Sequence, residues 1–301
     1  MPFQYKVSED KKVRIIIDTD AACEADDPFA IAHALMCQKF DVRAIFAEQF
    51  NREGSTRQSY EEILTVLRAM QKEVPVFMGE ETKISEKKQG GEVSPAADFL
   101  IEEAMREDAK PLFVLCIGAI TNVASAMMKE KEIAKHMTIV WIGGQGHEHS
   151  MPEVREFNAG NDVEAINYVL NSGVNFWQIP NDVYGKMRIS LAEIERRIAP
   201  CGEIGRHLFE NMETYNHSEH AGWTAGESWT LGDSPAVGVV LDPDCGFYHE
   251  TEAPIILDDT TNKFEKGRPK IRVYTSVDSR FILEDFIAKL EVLYGKDSDT
   301  K

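Results

Sequence analysis

Short apolar runs alternate with longer amphipathic stretches through the first two thirds of the chain, and that alternation leaves few architectures open. VRIII (13–17), VRAIFA (42–47), VPVFMG (74–79), PLFVLCIG (111–118), MTIVWIGG (137–144) and VNFWQIP (174–180) read as strands. Between them the pattern predicts helices over 28–38, 59–72, 96–106, 122–130 and 162–172. Ile63, Leu64, Val66, Leu67 and Met70 recur near the helical period, Ser94-Pro95 reads as a helix start, and Gly173 as a helix stop. Strands that are continuously apolar are buried on both faces, so the pattern implies an α/β fold: a mostly parallel central sheet with helices on both faces, Rossmann-like. In such sheets ligands gather beyond the carboxyl ends of the strands. Asp20, Gly118, Gly143-Gly144 and Asn181-Asp182 all fall just after predicted strands, and so belong to one rim.

The last third is less regular. Helices are expected over 191–197, 204–213, 233–241 and 279–294, strands at APIIL and KIRVYT, and a polar, aromatic-rich loop over 215–229. With no Gly/Ser linker and no internal repeat, one domain over 1–301 is expected, residues 185–301 forming a C-terminal part that completes the site. The tail KDSDTK is expected to fray.

Asp18, Asp20, Glu24, Asp26 and Asp27 place five carboxylates in ten positions between the first strand and the first helix. Nothing basic lies among them. Like charges at that density raise one another's pKa or require a cation, and a hard, oxygen-seeking ion such as Ca²⁺ or Mg²⁺ is the natural counter-charge. Asp27-Pro28 is also a good helix start, so Asp27 could serve only as a cap; four aspartates at a strand-to-helix crevice ask for more.

The net charge of −18 argues against nucleic acid or an anionic membrane as partner. No apolar run has the length of a membrane span, and the first residues lack the apolar core of a secretory signal, so a cytoplasmic location is expected. Five widely spaced cysteines with no CxxC pair suit free thiols in a reducing compartment.

Three further segments join the acidic loop: IGAITNVASAM (117–127), EFNAGNDVEAINYVLNSG (156–173) and GDSPAVGVVLDP (232–243). In order and spacing the four resemble the nucleoside hydrolases of the inosine-uridine preferring type, whose pattern has a DTDPGxDD-like loop, a GPLTN-like turn, an EFN before a D-x-E-A helix, and a late HD-P-A-like segment. The resemblance covers nearly the whole chain. It implies the nucleoside hydrolase fold and hydrolysis of the N-glycosidic bond of a small ribonucleoside to free base and ribose, a reaction of nucleoside salvage. It implies Ca²⁺ held by Asp20, Asp27, Asp233 and the Ile117 carbonyl, with a Ca²⁺-bound water activated by Asp20 as general base. Asp26 then resembles the residue that holds a ribose hydroxyl, Glu156 and Asn158 the groups that bind the 3′ and 5′ hydroxyls, and Asn51 another sugar contact. Asp18 would orient the loop from behind. The family further implies a homodimer or homotetramer.

The sequence departs from that pattern in three places. Five residues, not three, separate Asp20 from Asp26, giving an EADD variant of the loop. Gly232 stands where a histidine often precedes the late aspartate, and no clear asparagine stands just before EFN, where Ser150 and His149 are nearby. Help for the departing base is therefore sought in His217, His220, Trp223, Trp229 and Tyr184, the indoles as stacking surfaces. Two rival readings stay open at this point. DTD after an apolar strand also fits a Mg²⁺-dependent aspartyl phosphatase with Asp18 as nucleophile, and the missing histidine fits a non-catalytic ribose- or nucleoside-binding relative.

Overall fold

The computed structural model describes residues 3–87, 92–150 and 153–295; the expected fraying of 296–301 lies outside them. The first two thirds run β1 (Val13–Thr19), α1 (Asp27–Met36), β2 (Phe40–Ala47), α2 (Ser55–Met70), β3 (Val76–Met78), α3 (Pro95–Met105), β4 (Leu112–Cys116), α4 (Thr121–Lys129), β5 (Met137–Ile142), α5 (Phe157–Asn161), α6 (Val163–Leu170), β6 (Asn175–Ile179) and α7 (Asn181–Tyr184). The remainder adds β7 (Arg188–Ser190), α8 (Leu191–Glu193), α9 (Gly202–Asn216), β8 (Ser228–Thr230), α10 (Ser234–Leu241), β9 (Gly246–Glu252), β10 (Ile255–Ile256), β11 (Asn262–Lys263), β12 (Lys270–Val277) and α11 (Ser279–Tyr294).

Eight strands form the central sheet in the order β3-β2-β1-β4-β5-β6-β12-β9. Every neighbouring pair is parallel except β12 with β9. Alternate side chains of β1 serve the two faces. Ile15 and Ile17 pack with residues of α1, α2, α9, α10 and α11, and Ile16 packs with residues of α3, α4 and α6. The strand order reverses between β1 and β4, so the loops leaving these neighbours go to opposite faces and open a crevice between them. Residues 20–26 and 117–120 form its walls.

The α/β expectation therefore holds, and most element bounds agree within a few residues. Four differences stand out. Strand β9 was not expected: GFYHETE is mostly polar because it is the sheet's edge and pairs on one side only. The loop expected over 215–229 ends in β8, which pairs antiparallel with β7. APIIL contributes just Ile255–Ile256, and these pair with Asn262–Lys263 outside the main sheet. The helix expected over 191–197 starts as α8 and widens into a π turn over Ile194–Ile198. All five cysteines are free thiols, and among the described residues no helix is long and apolar enough to cross a membrane.

Candidate active site

The acidic loop is set by the ends of two elements. Strand β1 is buried along its whole length, and it delivers Asp18 and Asp20 to the rim with no solvent exposure to speak of. Asp26 occupies the cap position of α1, with Pro28 in the first turn, and Asp233 occupies the same position on α10, with Pro235 behind it. Neither aspartate caps its own helix with a side-chain bond, so both carboxylates are left for other work. Helices α1 and α10 lie against each other. Their amino ends therefore meet, and the partial positive charge there favours anions. One carboxylate oxygen each from Asp26, Asp27 and Asp233 lies within 4.8 Å of the others. The Thr19 hydroxyl donates to Asp27 Oδ1 and fixes that side chain.

Asp20 is pressed against the turn after β4. A Cβ on Gly118 would stand 2.9 Å from Asp20 Oδ1, so the close approach requires glycine. Asp20 Oδ2 is buried and has no hydrogen-bond partner. A buried, partnerless carboxylate oxygen is costly unless something positive binds it.

Electrostatics sharpen that point. Burial first, then the Asp27 charge, pushes Asp20 well above the usual carboxylate range. Asp27 is raised in the same way by burial and by Asp26. Asp233 is raised by burial and then by Asp26, Asp27, Asp20 and Glu24, all of them negative. Burial raises Asp26 to about 6, where backbone N–H donors restrain it, and raises Glu24 to about 8 with help from Asp26. The donor set is all oxygen and several-fold anionic, which fits a hard divalent cation. Asp26, Asp27 and Asp233 converge closely enough to share such an ion, and Asp20 and Ile117, expected beside it, line one cavity with them.

Behind this layer Asn122, on the first turn of α4, ties three elements together. Its Nδ2 donates to Asp18 Oδ1 at 2.8 Å, its Oδ1 accepts from Glu80 N at 2.7 Å, and its backbone N–H donates to Glu48 Oε2 at 3.0 Å. Ile120 just before it adopts φ 68°, a left-handed conformation that a β-branched residue takes only under strong constraint. Burial raises Asp18 to about 7, and burial with the Asp18 charge raises Glu48 well above its ordinary value. The TN turn is legible in the sequence; Glu48 is not, since a lone Glu after a strand carries no signal.

A cavity of about 450 Å³ opens over the cluster, a size suited to a small organic molecule. Asp20, Glu24, Asp26, Asp27, Ile117, Glu156, Asn158, Tyr184, Trp223 and Asp233 all line it. A wider surface groove of about 910 Å³ lies elsewhere, bordered by α6 and by β10, and contains none of the converging carboxylates. Four expected site residues fall outside the cavity. Asn51 turns away at φ 56° and borders a separate groove with Arg52 and Lys83; the inward positions after β2 are Glu48 and Gln49, both buried. Trp229 is completely buried, its ring 5.0 Å from that of Trp223 and 5.6 Å from that of Tyr215. It supports Trp223, which is 42% exposed at the rim. His217 and His220 do not line the cavity either, and His147 borders another one, bonded to Gln178 at 3.0 Å.

Glu156 starts α5 as its cap. Its Oε2 accepts from Gly144 N and Ala159 N, each at 2.8 Å, and its Oε1 accepts from Tyr184 Oη at 2.8 Å and Asn158 N at 3.3 Å. Gly144, at φ 78°, turns its N–H toward that carboxylate. Asn158 Nδ2 is anchored on the Ile142 carbonyl at 2.9 Å.

The family profile described as inosine-uridine preferring nucleoside hydrolase matches residues 15–284. The chain belongs to that family. It is thus a glycosidase of the nucleoside hydrolase kind, in a metal-dependent family. Pyrimidine-specific ribonucleoside hydrolase RihA of Salmonella typhimurium is 28% identical over 285 residues, 86% of this chain and 88% of that protein. RihA of Salmonella arizonae is 29% identical over 235 residues, 70% of this chain and 74% of its own length. Among solved structures, a purine-preferring ribonucleoside hydrolase from Gardnerella vaginalis superposes with a TM-score of 0.79 at 20% identity, covering 93% of this chain and 99% of its own. At that identity it speaks for the fold. Membership in a nucleoside hydrolase family sets the phosphatase reading aside, and geometry agrees: Asp18 is wholly buried and bonded to Asn122, out of reach of any substrate.

Proposed function

We propose that this nucleoside hydrolase cleaves the N-glycosidic bond of a ribonucleoside at the carboxylate cluster, with Ca²⁺ as the cation and Asp20 as general base. The observation that carries the reading is the buried, unpartnered Oδ2 of Asp20 at the foot of an oxygen-lined cavity. When bound, the cation supplies a chelating site for the vicinal sugar hydroxyls and lowers the pKa of water. Asp20 accepts the proton of the attacking water, its Oδ2 being buried at the site without a hydrogen-bond partner. Asp26 and Asp233 hold the sugar's diol edge, and Asn158 borders the opposite side. The crowded carboxylates also stabilise the positive charge that develops on the sugar ring in an oxocarbenium-like transition state. Trp223 offers a stacking surface to the base. Among the described residues no histidine lines the cavity, so base departure is assigned to stacking and to the electrostatics of the ring. The family resemblance supports a homodimer or homotetramer and a cytoplasmic location.

The test is a panel of purine and pyrimidine ribonucleosides, followed by free base and reducing sugar, before and after chelation and with Ca²⁺ returned. Release of both products, abolished by chelator, restored by Ca²⁺ and lost in Asp20→Ala, is the expected result. Nucleoside binding without release of either product would leave a ribonucleoside-binding relative instead.

A further inference from the structure

A small hairpin outside the main sheet holds both ends of the loop between β5 and α5. Strands β10 and β11 pair with each other. The turn between them is closed by the Thr260 N–H on the Leu257 carbonyl at 2.8 Å and by the Leu257 N–H on the Thr261 carbonyl at 2.9 Å. Leu257, Asp258 and Asp259 are exposed, whereas Thr260 is fully buried. Thr260 has φ 68°, a left-handed conformation that costs a β-branched residue strain. That strained turn brings its hydroxyl inward, where Thr260 Oγ1 accepts the backbone N–H of Glu156 at 2.7 Å. Two residues on, Asn262 Nδ2 donates to the Gln145 carbonyl at 3.0 Å.

These two bonds close on one loop. Gln145 stands just after β5, and Glu156 stands just before α5. Within the loop, Gln145 Nε2 donates to the Val154 carbonyl at 2.7 Å, and Gln145 Oε1 accepts from Asn181 Nδ2 at 3.0 Å. Val154, Glu156 and Asn158 line the cavity over the carboxylate cluster, while Thr260 and Asn262 do not. The hairpin is itself held by α6. Asn167 Nδ2 donates to the Ile256 carbonyl at 2.7 Å, and Asn167 Oδ1 accepts the Ile256 N–H at 2.9 Å. One wall of the cavity is thus set by a run of hydrogen bonds that begins on a helix with no residue in the cavity.

We infer that the β10–β11 hairpin is a clamp that fixes this wall, with Thr260 the positioning residue for Glu156 and Asn262 the positioning residue for the start of the loop. The inference rests on the proposed function for what the wall meets. Removing the Thr260 hydroxyl strands a buried N–H at the residue that starts α5 and frees that end of the loop. The converging carboxylates are left as they were. Loss of the clamp therefore weakens the hold on a ribonucleoside and spares the chemical step.

The experiment compares the Ca²⁺-loaded wild type with Thr260→Val, which keeps the branched shape without the hydroxyl, with Thr260→Ser, which keeps the hydroxyl, and with Asn262→Ala. KM and kcat are measured on uridine and inosine, and amide hydrogen exchange is followed in peptides covering residues 153–161. Thr260→Val should raise KM about three- to tenfold with kcat held within about twofold. It should also speed exchange over 153–161 by about tenfold or more, while β1 and β4 keep wild-type rates. Thr260→Ser should return both readouts to within about twofold of wild type, a rescue that a general packing defect would not show. An unchanged KM in folded Thr260→Val would overturn the inference, as would a fall in kcat as large as the rise in KM. If Thr260→Val does not fold, the same split in Asn262→Ala upholds the clamp, and its absence there overturns it. If the wild type hydrolyses neither nucleoside, the proposed reaction fails and the exchange rates alone decide the clamp. Faster exchange in Thr260→Val, restored in Thr260→Ser, upholds it; unchanged exchange overturns it.

Discussion

The Asn122 side-chain amide donates to Asp18 Oδ1 across 2.8 Å in the buried layer beneath the acidic loop. Through that bond the amino end of α4 is joined to β1, and through Glu80 and Glu48 to the ends of β3 and β2. The carboxylates of the acidic loop thus stand on a second tier of polar groups whose bonds are formed inside the protein.

Asn122→Ala should therefore cost about 2–3 kcal/mol of stability, since it strands the Glu80 N–H and one oxygen of buried Asp18. A urea titration measures this as a lower midpoint. A loss below about 0.5 kcal/mol would show that the layer relaxes around the gap.

Asp20→Asn keeps the shape of the side chain and removes its charge and basicity. The expectation is a fall of about 10²- to 10⁴-fold in kcat on a ribonucleoside that the wild type hydrolyses, with the melting temperature of the metal-free protein held or raised. Retention of full kcat would reassign the base.

Cation and pH are linked here. In the metal-free protein Asp26 is raised from 3.8 to about 6 and Glu24 from 4.5 to about 8. A carboxyl whose folded pKa exceeds its unfolded one binds its proton more tightly when folded. The stability it confers is complete below the unfolded value and is lost as pH rises through the folded one. The metal-free protein should lose melting temperature steadily between about pH 4 and pH 8. Saturating Ca²⁺ should flatten that slope by neutralising the cluster. A Ca²⁺-insensitive slope would mean that the ion binds elsewhere.

The two indoles should separate cleanly. Trp223→Ala, at the exposed rim, should raise KM about three- to tenfold, the worth of one stacking contact, with little change in stability. Trp229→Ala, in the core beneath it, should cost about 3–5 kcal/mol of stability. Equal kinetic and thermal effects from the two would refute the assignment of Trp223 as the wall that meets the base.

Much of this was legible in the chain. Apolar runs such as III (15–17) and FVLC (113–116) had to be buried strands, and the amphipathic stretches between them had to cover both faces, because those are local consequences of periodicity. Asp20, Asp26 and Asp27 could be placed on the rim for the same reason: they follow directly from the end of β1. Strand β9 could not, because an edge strand needs no apolar face and GFYHETE shows none. Asn51 is a sugar contact only by the family resemblance; in the structure the chain after β2 buries Glu48 and Gln49 and leaves Asn51 exposed.

By itself, the sequence determined the α/β alternation and the pile of carboxylates at one strand end, since hydrophobic period and charge density are properties of neighbouring residues. The family resemblance already drew Asp233 to that pile; only the tertiary structure decided that Trp229 lies beneath Trp223 and that Tyr184 bonds to Glu156. Those pairings depend on how helices and strands distant in the chain pack. Burial, which sets both the charge state of the aspartates and the number of acceptors left for a substrate, exists only once that packing is made.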